Sequence, residues 1–385
     1  MNGLLWRFVI VNFLMLSYSN TYFLLPSYLD KMGIVDIELV SWIMGIYFGA
    51  STIGRPFTAQ FIEIWGFRRV LKISTLICFF SAIGIALAGG SVVLILCFRA
   101  TSGIAFGVLL VAISTAQMIA VPDDKRGGSF ALTSAGSMAS MLVFTPIADF
   151  FLHKGLNFLY PWIPPLLALA SYFVKIDLPE EQENIPGKSK GMGGWAALLG
   201  MPDVRALLIS VAFLGVSDAF ILFIASISMM RGLIPSSFLS AYAFAAIGVR
   251  LICFRAMDRL PRKAIAAPSF GIMALAILAA TFSSNNWHFA ICGAAYGLSM
   301  GFGYPVHVAL VGDVVPPHLR ARLSSLFWFL YSLIFFLFPI FVGHISSSAG
   351  VIASLRAFSL SIFAASFLVA KWVWHERWGQ VKKRS

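Results

Sequence analysis

Charge is scarce in this chain. Charged residues make up 11% of its 385 residues and hydrophobic residues 59%, whereas a soluble domain carries about 25% charged residues. That balance excludes an ordinary soluble domain. A membrane-crossing helix needs roughly 20 apolar residues, which leaves room for about twelve of them with short connections. Acid is scarcer than base: 16 Asp and Glu against 28 Lys and Arg give a formal net charge of +12. In a soluble protein that surplus would suggest nucleic acid. Here it gathers in alternate loops, so no nucleic-acid partner is expected. Cysteine is rare, and Cys78, Cys97, Cys253 and Cys292 all fall inside apolar segments. They show no metal-ligand spacing and no loop pairing, which points to free thiols. The histidines other than one, His307, are scattered over loops and ends, so no metal site is indicated. There is no H-E-x-x-H, no G-x-S-x-G and no P-loop, so no enzyme chemistry and no cofactor is expected.

What is present is a repeat. Gly54 to Val70 reads GRPFTAQFIEIWGFRRV, and a degraded copy, GVRLICFRAMDRLPRKA, runs from Gly248 to Ala264. Arg55 falls over Arg250 and Glu63 over Asp258. The turn at Gly66 becomes Leu260-Pro261, and the basic pair Arg68 and Arg69 becomes Arg262 and Lys263. Val11–Tyr18 likewise lies over Val211–Asp218, and Pro146 over Pro339. A repeat at this spacing implies two similar halves. The expected organisation is an N-terminal bundle over 1–176, a polar linker over 177–202, a C-terminal bundle over 203–374 and a basic tail over 375–385. With the N-terminus inside, Arg68, Arg69, Lys72, Lys125, Arg126, Arg259, Arg262, Lys263, Arg320 and Arg322 all fall in inner loops. Only Lys31, Lys154 and Arg231 fall in outer ones. That bias places both termini in the cytoplasm.

The Gly54–Val70 stretch resembles the helix 2 to helix 3 signature of the major facilitator superfamily, roughly G-x-x-x-D-x-x-G-R-R, with Ala59 in place of the first glycine and Glu63 in place of the aspartate. The GRP opening is similar to the bacterial sugar- and drug-efflux branch. The resemblance covers nearly the whole chain. It implies an all-α membrane fold of twelve transmembrane helices in two pseudo-symmetric six-helix bundles about a central cavity. It also implies a monomeric carrier in the inner (plasma) membrane, with a small-molecule substrate, protons and the lipid bilayer as partners. Helix 5 departs from the pattern usual in the family's twelve-helix antiporters. Where they carry G-x-x-x-G-P-x-x-G-G, this chain keeps only Pro146.

The candidate site residues follow from where polar groups interrupt apolar helices. Asp218 lies near the middle of helix 7, where a lone acid costs about 2.5–3.5 kcal/mol on insertion scales. It therefore faces a wet space or a partner, and a carboxyl so placed is suited to take up and release a proton. The alternative is a permanent pair with an arginine. Tyr18 is its counterpart in the repeat. Arg99 opens R-x-x-x-G-x-x-x-G on helix 4, which resembles the family's proton-coupling pattern. An arginine keeps its charge, so it would tune a neighbouring acid or hold an anionic group, or else serve as a structural hub. Asn20 on helix 1 is either a substrate hydrogen-bonder or interhelical glue. His307, with Tyr304 on helix 10, is either titratable near neutral pH or a satisfied packing residue. The resemblance implies that Glu63 and Asp258 act as cytoplasmic gates, each near the N-terminus of a helix in the other half, where a carboxylate is favoured. Arg55 and Arg250 read as interface residues that snorkel to the inner surface. Together these point to proton-coupled efflux of a small organic molecule by alternating access. Proton-coupled uptake of a sugar, organic acid or metallophore-like compound is the alternative. A non-transporting receptor is disfavoured.

Overall fold

In hydrocarbon a backbone must satisfy its own N–H and C=O groups, and a helix does so within one segment. Every regular element among the described residues is helical. The computed structural model describes residues 2–120, 123–176, 195–253, 262–315 and 319–374. The chain forms two compact units, Met1–Ser189 and Lys190–Ser385.

Unit 1 contains α1 (Gly3–Lys31), α2 (Ile37–Phe57), α3 (Phe67–Leu87), α4 (Val92–Ala120), α5 (Asp123–His153) and α6 (Ile163–Tyr172). Unit 2 contains α7 (Pro202–Arg231), α8 (Pro235–Ile252), α9 (Arg262–Ala280), α10 (Asn286–Val314), α11 (Arg320–Ala349) and α12 (Val351–Leu368). The starts are chemically marked. Asp36 caps α2 by accepting from the Glu38 and Leu39 amides, and Asn285 caps α10 by accepting from the His288 amide. Such caps satisfy amides that the helix itself leaves open.

Ten of these helices are long and apolar enough to cross a bilayer among the described residues, against the twelve expected. α6 has ten residues, about 15 Å of rise, half the thickness of the hydrocarbon core. α10 has the length, at 29 residues, but carries Asn286, His288, His307, Asp313 and several glycines, so its composition is too polar. Two further differences concern loops. Lys125 and Arg126, expected in an inner loop, fall in the first part of α5. Most of the expected linker and all of the tail lie outside the described residues. The described end of that linker is a short helix, Trp195–Gly200, with Leu198 fully buried.

Each unit packs its helices in the same pattern. α1 lies on α5, α2 and α3 on α4, and α3 on α6. In unit 2, α7 lies on α11, α8 and α9 on α10, and α9 on α12. The closest approaches repeat as well. A Cβ on Gly103 of α4 would meet the Tyr47 carbonyl of α2, and a Cβ on Gly297 of α10 would meet the Tyr242 carbonyl of α8. Glycine lets two backbones touch where lipid gives no hydrophobic drive for helix association. Pro146 and Pro339 both sit inside long helices, α5 and α11.

The exteriors are apolar and the interiors hold the polar residues. Phe80, Phe244, Ile252 and Trp287 are exposed, while Asn20, Arg99, Asp218, Arg250 and His307 are buried. That inversion is what a bilayer solvent requires.

Candidate functional site

Both α1 and α7 are interrupted by a tight 3-10 turn, at Tyr22–Leu24 in α1 and at Phe220–Phe223 in α7. The repeat therefore includes a break in the same helix of each unit, and Tyr18, Asn20 and Asp218 lie on its N-terminal side. Setting the two breaks in register places Asp218 over Asn20, two residues from the Tyr18 expected as its counterpart.

In unit 1 the break is surrounded by tyrosines and holds a cation. Arg99 on α4 is 2% exposed. Its guanidinium lies 4.4 Å from the centre of the Tyr47 ring and 4.7 Å from that of Tyr22. Its Nε donates to the Ile43 carbonyl at 3.3 Å, while Nη1 has no acceptor among the described residues. The ionisable groups around it are tyrosines: Tyr47, Tyr22, Tyr18 and Tyr160. The expectation that Arg99 tunes a neighbouring acid finds no carboxylate beside it among the described residues of its unit. The Tyr22 hydroxyl is likewise buried without a partner among the described residues, while three other tyrosines and Asn20 are committed locally. The Tyr18 hydroxyl donates to the Cys78 carbonyl at 3.3 Å, the Tyr47 hydroxyl to Ser19 Oγ at 3.2 Å, and the Tyr160 hydroxyl to the Thr21 carbonyl at 3.0 Å. Asn20 Nδ2 donates to Ser140 Oγ on α5 at 2.6 Å, joining α1 to α5.

In unit 2 the corresponding position holds an anion. Asp218 is 8% exposed. Oδ1 accepts from the Tyr296 hydroxyl of α10 at 3.0 Å, and Oδ2 from the Tyr331 hydroxyl of α11 at 2.5 Å. Tyr331 packs against Tyr304, Phe327, Trp328 and Phe335, so an aromatic wall stands on one side of the carboxyl. Tyr304 thus joins this cluster through Tyr331 and through Arg250, whose guanidinium lies 5.8 Å over its ring. Arg250 is 9% exposed and its charge acts on Asp218. The Tyr304 ring face gives its charge a favourable contact within the protein.

His307 is apart from this cluster. Nδ1 donates to the Gly303 carbonyl at 2.7 Å, leaving Nε2 to accept from the Ser210 hydroxyl at 2.8 Å. Both nitrogens are satisfied in the neutral ring. Ser210 is eight residues, or about 12 Å of helix, before Asp218.

Of the turn residues, Arg55 opens a 3-10 turn, Arg55–Phe57, at the end of α2, and a helix continues over Thr58–Trp65. Ala59 lies on that helix, with its side chain outside the described residues. Gly66 has φ 75°, a left-handed conformation that admits glycine far more readily than other residues, and the chain turns there into α3. Glu63, Arg68 and Arg69 are exposed around it. Asp258 lies outside the described residues. Arg262 and Lys263 form ion pairs within unit 2, Arg262 with Asp313 at 2.9 Å and Lys263 with Asp203 at 3.7 Å.

Sequence reasoning missed Tyr296 and Tyr331, the two donors to Asp218, and Tyr22 and Tyr47, which enclose Arg99. Only Tyr296 carries a local signal, standing beside Gly297 as Ser102 stands beside Gly103.

Among solved structures, the chain is similar to the nucleoside transporter NupG, at 14% identity, with 96% of this chain and 98% of that one covered and a TM-score of 0.76. It is also similar to a bacterial homolog of the human lysosomal transporter Spinster, at 15% identity, 97% and 95% coverage and a TM-score of 0.68. For the human organic anion transporter TETRAN the values are 14% identity, 95% and 98% coverage and a TM-score of 0.66. These likenesses show the fold. A comparison with curated protein sequences returned no match. The sequence profile of the Major Facilitator Superfamily matches residues 7–252 and again residues 232–384. A multi-pass membrane chain with this fold, this packing repeat and that profile across both units belongs to the Major Facilitator Superfamily.

Proposed function

We propose that the protein is a secondary active transporter that exports a small organic molecule by alternating access, with Asp218 carrying the coupled proton. The observation that supports this most is the set of hydrogen bonds at Asp218. Both carboxyl oxygens face tyrosine hydroxyls, and a hydroxyl can accept as well as donate. When the carboxylate takes a proton, its new O–H has an acceptor already in place. When it loses the proton, two donors hold the charge. A carboxylate bound directly by an arginine fork would lack this freedom, because an arginine only donates.

In this reading Tyr296 and Tyr331 position the carboxyl, and Arg250 with Tyr304 sets its field. The aromatic wall of Tyr304, Trp328 and Tyr331 supplies apolar contact for substrate. Glu63 and Asp258 act as gates at the basic turns. The basic loops favour cytoplasmic termini and a cell-membrane location, and the carrier works as a monomer. Efflux rests on the GRP opening alone. Arg99 favours a second reading, proton-coupled uptake of an organic acid, because a buried cation suits a carboxylate. A panel of organic cations, sugars and organic acids in proteoliposomes with an imposed pH gradient tests both. Efflux predicts that a substrate moves against the proton flux and uptake that it moves with it. The absence of gradient-driven movement for every compound would refute the transport reading.

A further inference from the structure

We infer that Arg99 is the seat of a small anion in unit 1, with the carboxylate group as the ligand chemistry that fits it.

The argument starts from an imbalance of charge. Arg99 is a permanent cation, 2% exposed, in a helix long and apolar enough to cross the bilayer. Buried charges in proteins are paired with an opposite charge or neutralised. Arg99 cannot be neutralised in practice, and its described surroundings offer only rings and one carbonyl. Stacking on Tyr22 and Tyr47 compensates for part of the lost hydration, but it supplies no counter-charge.

The geometry then says where the counter-charge belongs. Two tyrosine rings occupy space above the guanidinium carbon, at 4.4 and 4.7 Å. Nε is used by the Ile43 carbonyl. What remains is the fork edge, where Nη1 is buried without an acceptor. A guanidinium edge presents parallel N–H donors that match the two oxygens of a carboxylate. Three hydroxyls nearby are committed to other acceptors: Tyr18 to Cys78, Tyr47 to Ser19 and Tyr160 to Thr21. Arg99 Nη1 and the Tyr22 hydroxyl, both buried without a partner among the described residues, are the donors left to take a ligand.

The counter-ion comes from one of two sources: the carboxylate of a transported molecule, or a resident inorganic anion such as chloride. The proposal rests on the transport reading only for the route by which the ligand arrives, and binding is measured without transport. Full-length protein in detergent would be dialysed to equilibrium against radiolabelled benzoate, acetate and chloride, each at the same ionic strength. Saturable binding is expected for the wild type, with about tenfold or greater weakening in Arg99→Gln, as loss of a charge-assisted hydrogen-bonding partner implies. Arg99→Lys, which keeps the charge and loses the fork, should fall between them. Lys154→Gln, which removes an exposed positive charge from the same unit, should bind as the wild type does. Carboxylate binding that chloride fails to displace identifies a substrate subsite, whereas chloride binding that carboxylates displace identifies a resident ion. Thermal unfolding provides the control for folding: benzoate or chloride should raise the midpoint of the wild type and leave that of Arg99→Gln unchanged. No saturable binding of any of the three, or equal binding in Arg99→Gln, would overturn the proposal.

Discussion

The two units answer the same local problem with opposite charges. At the break in α1, unit 1 holds Arg99 against the faces of Tyr22 and Tyr47. At the break in α7, unit 2 holds Asp218 on the hydroxyls of Tyr296 and Tyr331. One residue type serves both because a tyrosine has two electrostatic ends. Its ring face is negative and attracts a cation, and its O–H is a donor that attracts an anion. The scaffold is common to both units, down to the glycine contacts of Gly103 and Gly297 with Tyr47 and Tyr242. The difference shows that the duplicated framework and the charged residues are separable. The glycines hold the helices at contact distance, and the chemistry is set by which tyrosine end faces the break.

The largest effect expected from breaking that framework comes from Gly297→Leu or Gly103→Leu. Either side chain would press on a backbone carbonyl across the helix pair, and overpacking costs about 1–3 kcal/mol, with the upper end expected where rigid backbone is met. Both variants should lose the monodisperse peak in size-exclusion chromatography. Gly248→Leu, with open space at its Cβ, should keep it. If Gly103→Leu folds normally and Gly297→Leu does not, the two units are not equivalent in packing.

Hydroxyl removal sharpens the comparison further. Tyr331→Phe takes a donor from Asp218, and a hydrogen bond to a charged group contributes about 1.5–3 kcal/mol. Gradient-driven transport should fall about tenfold or more. Tyr47→Phe keeps the ring face that Arg99 uses and loses only a bond to Ser19, a change of about 1 kcal/mol. Its transport should stay within a few fold of wild type. Equal losses in the two variants would mean that the face-and-hydroxyl distinction is wrong. The smallest effect on coupling is expected at His307. His307→Gln should lower the thermal midpoint through the bonds to Ser210 and Gly303, while the pH profile of transport stays as in the wild type. A shifted profile would restore His307 to the coupling site.

Much of the fold is legible in the sequence because a bilayer leaves few choices. Apolar length gives helices, and the copied turns at Gly54–Val70 and Gly248–Ala264 give two units. Asp218 and Arg99 are legible for the same reason, as charges where charge is costly. Their partners are not. Tyr296 and Tyr331 lie 78 and 113 residues from Asp218, and tyrosines in an aromatic-rich chain carry no local mark of what their hydroxyls will meet. The interrupted α1 and α7 are hidden too, since a 3-10 turn changes hydrogen-bond spacing without needing a particular residue. Pro26 follows the first break, and no proline follows the second. Arg250 shows the same limit, since its place in a copied turn carries no mark of the Tyr304 ring that its guanidinium meets 54 residues later.

The most direct test of the account is flux through Asp218→Asn in proteoliposomes, with substrate movement measured both down its own gradient and uphill under an imposed pH gradient. The asparagine keeps the shape and accepts a tyrosine hydroxyl bond, but it binds no proton. The account predicts that downhill exchange persists while uphill, gradient-driven transport disappears. Uphill transport at the wild-type level would contradict it.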